Sequence, residues 1–267
     1  MFRRLIPLTL AFLLLAGISL FPYQSSVRAQ EKNFTAEQVV ESLIFIYGTR
    51  PNLAQIRRNG VERGRMTRVA PDGKLEESTY ERRFIRGESQ AKDKVRLDQK
   101  MPTMEYSLIY GAGKTWGIIN GSAFTPRQEA SQSFLAQIWH GLDALLRYKE
   151  NGSTITLAGK DKQKNIDLYM LDLTDKEGHK TRYYVSVKTL HVLWLDYEES
   201  PESTPVKYRR SFYDYRYAQG TLVPYRTVLL EDGKQVQETR VLTVTFGIKM
   251  EDSLFQNPEA QANVAQP

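Results

Sequence analysis

Apolar residues recur along this chain at two periods, helical in two stretches and alternating almost everywhere else. Thr35-Ala36-Glu37-Gln38 reads as a capping box, with Thr35 as N-cap and Gln38 reaching back to it. Behind it Val39, Val40, Leu43, Ile44 and Tyr47 form one helical stripe that Gly48 and Pro51 bring to a stop. A second helix is predicted from Pro126 to Glu150, ahead of the turn Asn151-Gly152. Its apolar face, Phe134, Leu135, Ile138, Trp139, Leu142, Leu145 and Leu146, covers an arc of about 140°. Gln132, Gln137, Asp143 and Arg147 fall on the opposite, polar side.

The alternating segments are cut by turn signals at Asp72-Gly73, Gly111-Ala112-Gly113, Asn120-Gly121, Glu177-Gly178 and Asp232-Gly233. They predict about a dozen strands joined by short links, hence antiparallel neighbours. Met104/Tyr106/Leu108/Tyr110, Trp116/Ile118, Ile155/Leu157, Tyr183/Val185/Val187 and Leu242/Val244/Phe246/Ile248 mark an apolar face, and Tyr213/Tyr215/Tyr217 share one face of a strand. So many consecutive antiparallel strands with two helices imply a curved sheet. Such a sheet either closes into a barrel or covers its apolar concave face with the helices. The helix at 126–150 falls mid-meander, where it can lid that concavity.

The ends of the chain stand apart. Arg3 and Arg4 precede an apolar run from Leu5 to Phe21, and Val27-Arg28-Ala29 supplies small residues at a cleavage site, so residues 1–29 are expected to be a cleaved export signal. Residues 30–258 form a single domain, and 259–267 lack periodicity and are expected to be disordered. The full chain carries 37 basic against 31 acidic side chains, a formal +6. Without Arg3, Arg4 and Arg28 the balance is 34 against 31, and a generic nucleic-acid binder is disfavoured. The excess is local, since nine basic and five acidic residues lie between Arg57 and Arg86. That segment reads either as exposed edge strands protected by charge or as a docking surface for an anionic partner through Arg82, Arg83 and Arg86.

Chemistry-bearing motifs are few. No cysteine is present, which excludes disulfides, thiolate metal sites and a lipid-attachment thiol. Gly111-Ala-Gly-Lys-Thr115 lacks the upstream glycine of a phosphate loop and reads as a hairpin turn. Asp196, Glu198 and Glu199 do not by spacing make a catalytic acid pair. His140, His179 and His191 are far apart in sequence, and the latter two have no acid at ligand spacing. No catalytic residue, metal or cofactor is expected.

The order of features resembles a known family. The first helix with Ala36-Glu37-x-Val39-Val40, the hairpin Tyr110-Gly-Ala-Gly-Lys-Thr-Trp116, the mid-chain helix, then Tyr213-Asp-Tyr-Arg216, Gly220-x-Leu-Val-Pro224, Asp232-Gly-Lys234 and Asp252-Ser-Leu-Phe255-x-x-Pro258 are similar to the LolA/LolB-like outer-membrane lipoprotein-sorting proteins. The resemblance implies a mainly β fold, an incomplete, strongly curved antiparallel barrel lidded by helices. It also implies a monomeric periplasmic carrier, touching membranes peripherally at most, whose concavity receives lipoprotein acyl chains or another apolar ligand. On that reading Tyr106, Leu108, Trp116, Ile118 and Val244 are candidates for the cavity wall, and Phe134, Ile138, Leu142 and Leu145 for the lid. An arginine that latches the lid is expected from the family, with Arg83, Arg86 and Arg96 eligible. The alternative is an envelope sensor of the same fold that binds a protein partner through Arg82, Arg83 and Arg86 and carries no lipid.

Overall fold

The computed structural model describes residues 34–70, 72–200 and 204–257. The expected export signal and C-terminal tail lie outside them. Helix α1 (Ala36–Tyr47) starts at the expected capping box: Thr35 Oγ1 accepts from the Gln38 amide at 3.2 Å and Gln38 Oε1 accepts from the Thr35 amide at 3.0 Å. Gly48, at φ +133°, turns the chain into α2 (Arg50–Ile56). Six strands follow: β1 (Asn59–Val69), β2 (Leu75–Ile85), β3 (Lys94–Lys100), β4 (Glu105–Gly111), β5 (Lys114–Ile119) and β6 (Ser122–Phe124). Three helical pieces, α3 (Gln128–Trp139), α4 (Leu142–Leu146) and α5 (Tyr148–Asn151), lead to the second block. That block holds β7 (Thr154–Gln163), β8 (Ile166–Thr174), β9 (Lys180–Ser186), β10 (Val192–Glu199), β11 (Val206–Ala218), β12 (Thr221–Glu231) and β13 (Lys234–Phe246), and a 3-10 turn (Asp252–Phe255) ends it.

All 13 strands belong to one antiparallel sheet, in the order β6-β5-β4-β3-β2-β1-β13-β12-β11-β10-β9-β8-β7. Each block is a meander, and β1 paired with β13 joins them in mid-sheet. The sheet is strongly curved, as the alternation implied, and does not close into a barrel, as the family resemblance implied. Its two edges are β6 and β7, the strands on either side of α3–α5 in sequence. The connection between them therefore runs from one edge of the sheet to the other, across the concave side.

Two apolar clusters fill that side. The first gathers Val39, Val40, Leu43, Ile44 and Tyr47 of α1 with Leu145 and with Leu171, Tyr183, Val185, Val192 and Leu195 of β8–β10. The second joins Phe134 and Ile138 of α3 to Tyr80, Phe84, Val95, Leu97, Leu108 and Tyr110 of β2–β4 and to Phe246.

The structure corrects the pattern reading at several places. The helix expected at 126–150 is broken twice. His140 and Gly141 leave the helical path, with Gly141 extended (φ −100°, ψ 173°), because their carbonyls accept from Arg210 at 3.3 Å and from the Tyr183 hydroxyl at 2.9 Å. β1 and β2 are not edge strands but lie in the middle of the sheet. Asp214 has a positive φ of 53°, a local twist that leaves the register with β12 unchanged but breaks the tyrosine alternation: Tyr215 turns inward to meet the Tyr47 hydroxyl at 2.9 Å, while Tyr213 and Tyr217 are 42% and 65% exposed. A register shift, with Arg63 opposite Thr243 but Gly64 opposite Val241, leaves Leu242 unpaired and 58% exposed. The Gly111 hairpin is as expected, with Ala112 at φ 50° and Gly113 at φ 73°.

Candidate functional site

Strand register decides what faces the concavity. Glu62, Arg82, Leu97, Leu108 and Gly117 are consecutive partners across β1, β2, β3, β4 and β5, and Gly64, Tyr80, Gln99, Tyr106 and Ile119 form the next inward row. Tyr106, Leu108 and Val244 thus lie on the concave side, against the second cluster. Trp116 and Ile118 pair with Ile109 and Ser107 and occupy the opposite face. The closing turn docks on that face at β3: Arg96 Nη1 donates to the Leu254 carbonyl at 3.1 Å, and Lys94 Nζ meets Asp252 at 2.9 Å. The expected wall is thereby divided between two faces, since Leu108 opposite Gly117 puts the flanking tryptophan and isoleucine on the other parity.

The four expected lid residues divide between the clusters, Phe134 and Ile138 against the second, Leu142 and Leu145 against the first. Asp143, which a continuous helix would place on the solvent side, is turned inward by the break at His140-Gly141. Its carboxylate meets Arg57 Nη2 at 3.1 Å and accepts a hydrogen bond from Arg86 Nη2. Burial alone would raise the Asp143 carboxyl, but Arg57, Arg86, Arg82 and Arg147 outweigh it and hold the group far below the usual carboxylate range. Burial brings the Arg86 guanidinium down to about 10, with Arg57 and Arg147 nearby acting in the same sense and Asp143 against them. Arg147 is likewise inward. Its Nη1 donates to both Asp93 oxygens at 2.8 and 3.0 Å and its Nη2 to the Gly87 carbonyl at 2.8 Å. Gln90 ties the same loop to the lid, its amide donating to Asn151 Oδ1 at 3.0 Å and its side chain to the Ile138 carbonyl.

Between lid and sheet remains a cavity of about 180 Å³. Its walls include Phe84, Val95 and Ile138, but also five guanidinium groups, Arg57, Arg82, Arg86, Arg147 and Arg210, against three carboxylates, Glu62, Asp93 and Asp143. The arginines expected as one docking surface do not form one. Arg83 points to the convex face and pairs with Asp98 and Glu81, Arg86 is buried at Asp143, and Arg82 lines the cavity. Sequence reasoning missed Arg57, Asp93 and Asp143. A glycine beside a histidine in the middle of an otherwise unbroken helical pattern is the signal that could have found the turned segment.

The other end of the lid meets β8–β11 beside a wide groove of about 1120 Å³. The Trp139 ring stacks on His179 at 4.1 Å, and His140 stacks on Tyr197 at 4.1 Å with its Nδ1 2.7 Å from Thr181 Oγ1. The two histidine rings lie 5.9 Å apart, although sequence spacing suggested no histidine pair. His179 does have an acid partner, Asp175 Oδ2 at 2.7 Å from its Nδ1, and side-chain atoms of Asp175, Glu177 and His179 come within 4.8 Å of one another. The other Asp175 oxygen accepts from the Glu177 and His179 amides at 3.0 and 2.8 Å, so this carboxylate shapes its own turn. Asp196 is held by Arg209 through two bonds of 2.7 Å, in a charge ladder that continues as Arg182 to Asp172.

The arrangement is that of a lidded concavity with mixed apolar and cationic walls. Comparison with solved structures shows the same architecture: the chain has a LolA-like fold. It is similar to a DUF1329 family protein from Desulfovibrio piger (TM-score 0.60, 13% identity, 84% of this chain and 98% of that one). A LolA superfamily protein from Nitrosomonas europaea matches at TM-score 0.59, 12% identity and the same coverage. A Vibrio parahaemolyticus domain named for outer membrane lipoprotein sorting matches at TM-score 0.55 and 11% identity, again over 84% and 98% of the two chains. No family model matches the sequence, and no curated protein does. Among the described residues no helix is long and apolar enough to cross a membrane.

Proposed function

We propose that this chain is an exported carrier, working in the bacterial periplasm, that holds the apolar part of a lipid or lipoprotein on the concave face beneath α3–α5. The observation that carries the reading is the lid itself. It crosses from edge to edge of an open sheet, sends Phe134 and Ile138 into the second apolar cluster, and is closed by side-chain ion pairs at Asp143 and Arg147. When it lifts, an acyl chain can take the place of those two side chains against Phe84, Val95, Leu97 and Leu108. Burying each methylene there contributes about 0.8 kcal/mol before the costs of association and lid opening. The LolA-like fold supports the same reading, as does the name of the Vibrio domain. Arg86, one of the three eligible arginines, is the one bonded to the lid.

Native mass spectrometry of the purified protein with palmitate and with a triacylated lipopeptide tests the proposal. Lipid adducts that survive desolvation are expected, and a protein that stays empty with both ligands would sink it.

A further inference from the structure

Arg57 poses a problem that the closed lid does not solve. Only 9% of the residue is exposed, yet its Nε and Nη1 atoms have no hydrogen-bond partner, and its Cζ lies 5.5 Å from the centre of the Phe246 ring. Leaving guanidinium N–H groups buried and unpaired is costly, since they lose water and gain nothing in return. Two more arginines converge on the same place. Arg86 and Arg82 lie 5.3 and 5.2 Å from the Phe84 ring, Arg86 meets Asp143, and no ion pair of Arg82 occurs among the described residues. Glu62, the strand partner of Arg82, already accepts from the Tyr80 hydroxyl at 2.7 Å. Three planar cations therefore surround one lid carboxylate, with hydrogen-bonding capacity left over.

We propose that Arg57, Arg82 and Arg86 form a binding site for an anionic oxygen group, carboxylate or phosphate, at the head of the carried ligand, and that Asp143 occupies this site while the lid is closed. The proposal rests on the carrier reading and adds to it a second substitution. The lid presents to the sheet both apolar side chains and a carboxylate, and an acidic amphiphile offers the same two elements at once. Guanidinium forks match carboxylate and phosphate oxygens in pairs, which a single aspartate oxygen at each arginine does not exhaust. Binding would exchange one anion for another at the arginines, so the cations stay compensated whether the lid is open or shut.

Calorimetric titration of the purified protein with dodecyl phosphate, dodecanol and inorganic phosphate tests this. Dodecyl phosphate is expected to bind at least about tenfold more tightly than dodecanol. Arg82→Gln should erase most of that preference, read as the ratio of the two affinities, and Arg57→Gln should do the same if its thermal midpoint shows it folded. Asp143→Asn, which removes the competing carboxylate, should tighten dodecyl phosphate binding. Equal affinity for the two amphiphiles overturns the anion site and leaves the carrier reading standing. Binding of inorganic phosphate with neither amphiphile bound keeps the site but assigns it to a free anion, against the carrier reading. Binding of none of the three overturns both.

Discussion

The two apolar clusters on the concave face differ in what seals them. The first is closed by α1, and Leu43, Tyr47, Leu171, Tyr183 and Leu195 are at 0% exposure. In the second, closed by α3, none of the twelve members is at 0%, and Phe84, Val95, Ile138 and Val223 border the arginine-lined cavity. One region is a finished core, filled by a helix attached through the continuous apolar stripe of its own sequence. The other is occupied by a segment held largely through polar and charged contacts at its ends, and such contacts can be exchanged for a ligand's. A single sheet thus combines a part sealed by apolar packing with a part closed by polar and charged contacts.

The two regions should respond differently when one leucine is truncated in each. Leu195→Ala should cost about 4 kcal/mol and Leu108→Ala about 2 kcal/mol in urea unfolding, because Leu195 is sealed at 0% exposure whereas Leu108, at 5%, belongs to the less tightly sealed cluster, where the void can be relieved. Equal losses would mean that the second region is packed as tightly as the first. Asp143→Asn comes next. It leaves the Arg57 and Arg86 cations without their buried partner and should lower stability by about 3 kcal/mol. Hydrogen exchange should rise over residues 128–151 and stay unchanged over β8–β10, whereas a uniform rise would show that lid and core open as one unit.

Much of this division is legible in the residue pattern, and its failures have physical causes. The α1 stripe, its capping box, the hairpins and the lidded, curved sheet follow from period and turn chemistry, which act locally. Leu242 escapes the alternation because one extra residue at the β1–β13 bulge inverts its face, and Tyr215 because the positive φ of Asp214 turns the strand; nothing in the alternation marks either. The pattern puts Trp116 and Ile118 on the wall because Gly117, the inward residue, has no side chain to register in it. Asp143 and Arg147 fall on the polar face of the sequence pattern but turn inward, because two long-range bonds, from Tyr183 and Arg210, break the helix ahead of them. The candidate site therefore depends on contacts between residues tens of positions apart, while the scaffold depends on neighbours.

Gly64 tests whether the seam between the two meanders transmits this difference. A Cβ built there would lie 2.2 Å from the Arg240 carbonyl oxygen and 2.7 Å from the Tyr80 ring, and backbone cannot yield as a flexible side chain would. Gly64→Ala should cost about 2 kcal/mol by thermal or urea unfolding. If the seam is shared, exchange protection falls in β1 and β13 ahead of β8–β10; unchanged stability would mean that the register at the bulge relaxes freely.

The smallest effect sought, at any one pH, comes from the lid's other anchor. Burial, with Arg210 and His179 close by, holds the His140 imidazole down at about 3. Unfolded, the same group titrates near about 6.5. Between these values the unfolded chain binds a proton that the folded chain refuses, so stability is fully present above about pH 6.5 and falls as the pH drops toward 3, by about 1.4 kcal/mol per unit. Glu199, whose carboxylate lies 4.0 Å from His140 Nε2, is raised by burial and acts with the opposite slope. Its contribution remains when His140 is replaced by Asn, which keeps a polar group for the Thr181 hydroxyl but carries no proton. The difference between wild type and His140→Asn in urea midpoint, measured at pH 7, 6 and 5, should therefore shrink or reverse as the pH falls. A difference independent of pH would show that His140 is free to charge in place, and that the lid's anchor at β9–β11 is as exchangeable as its anchor at the arginines.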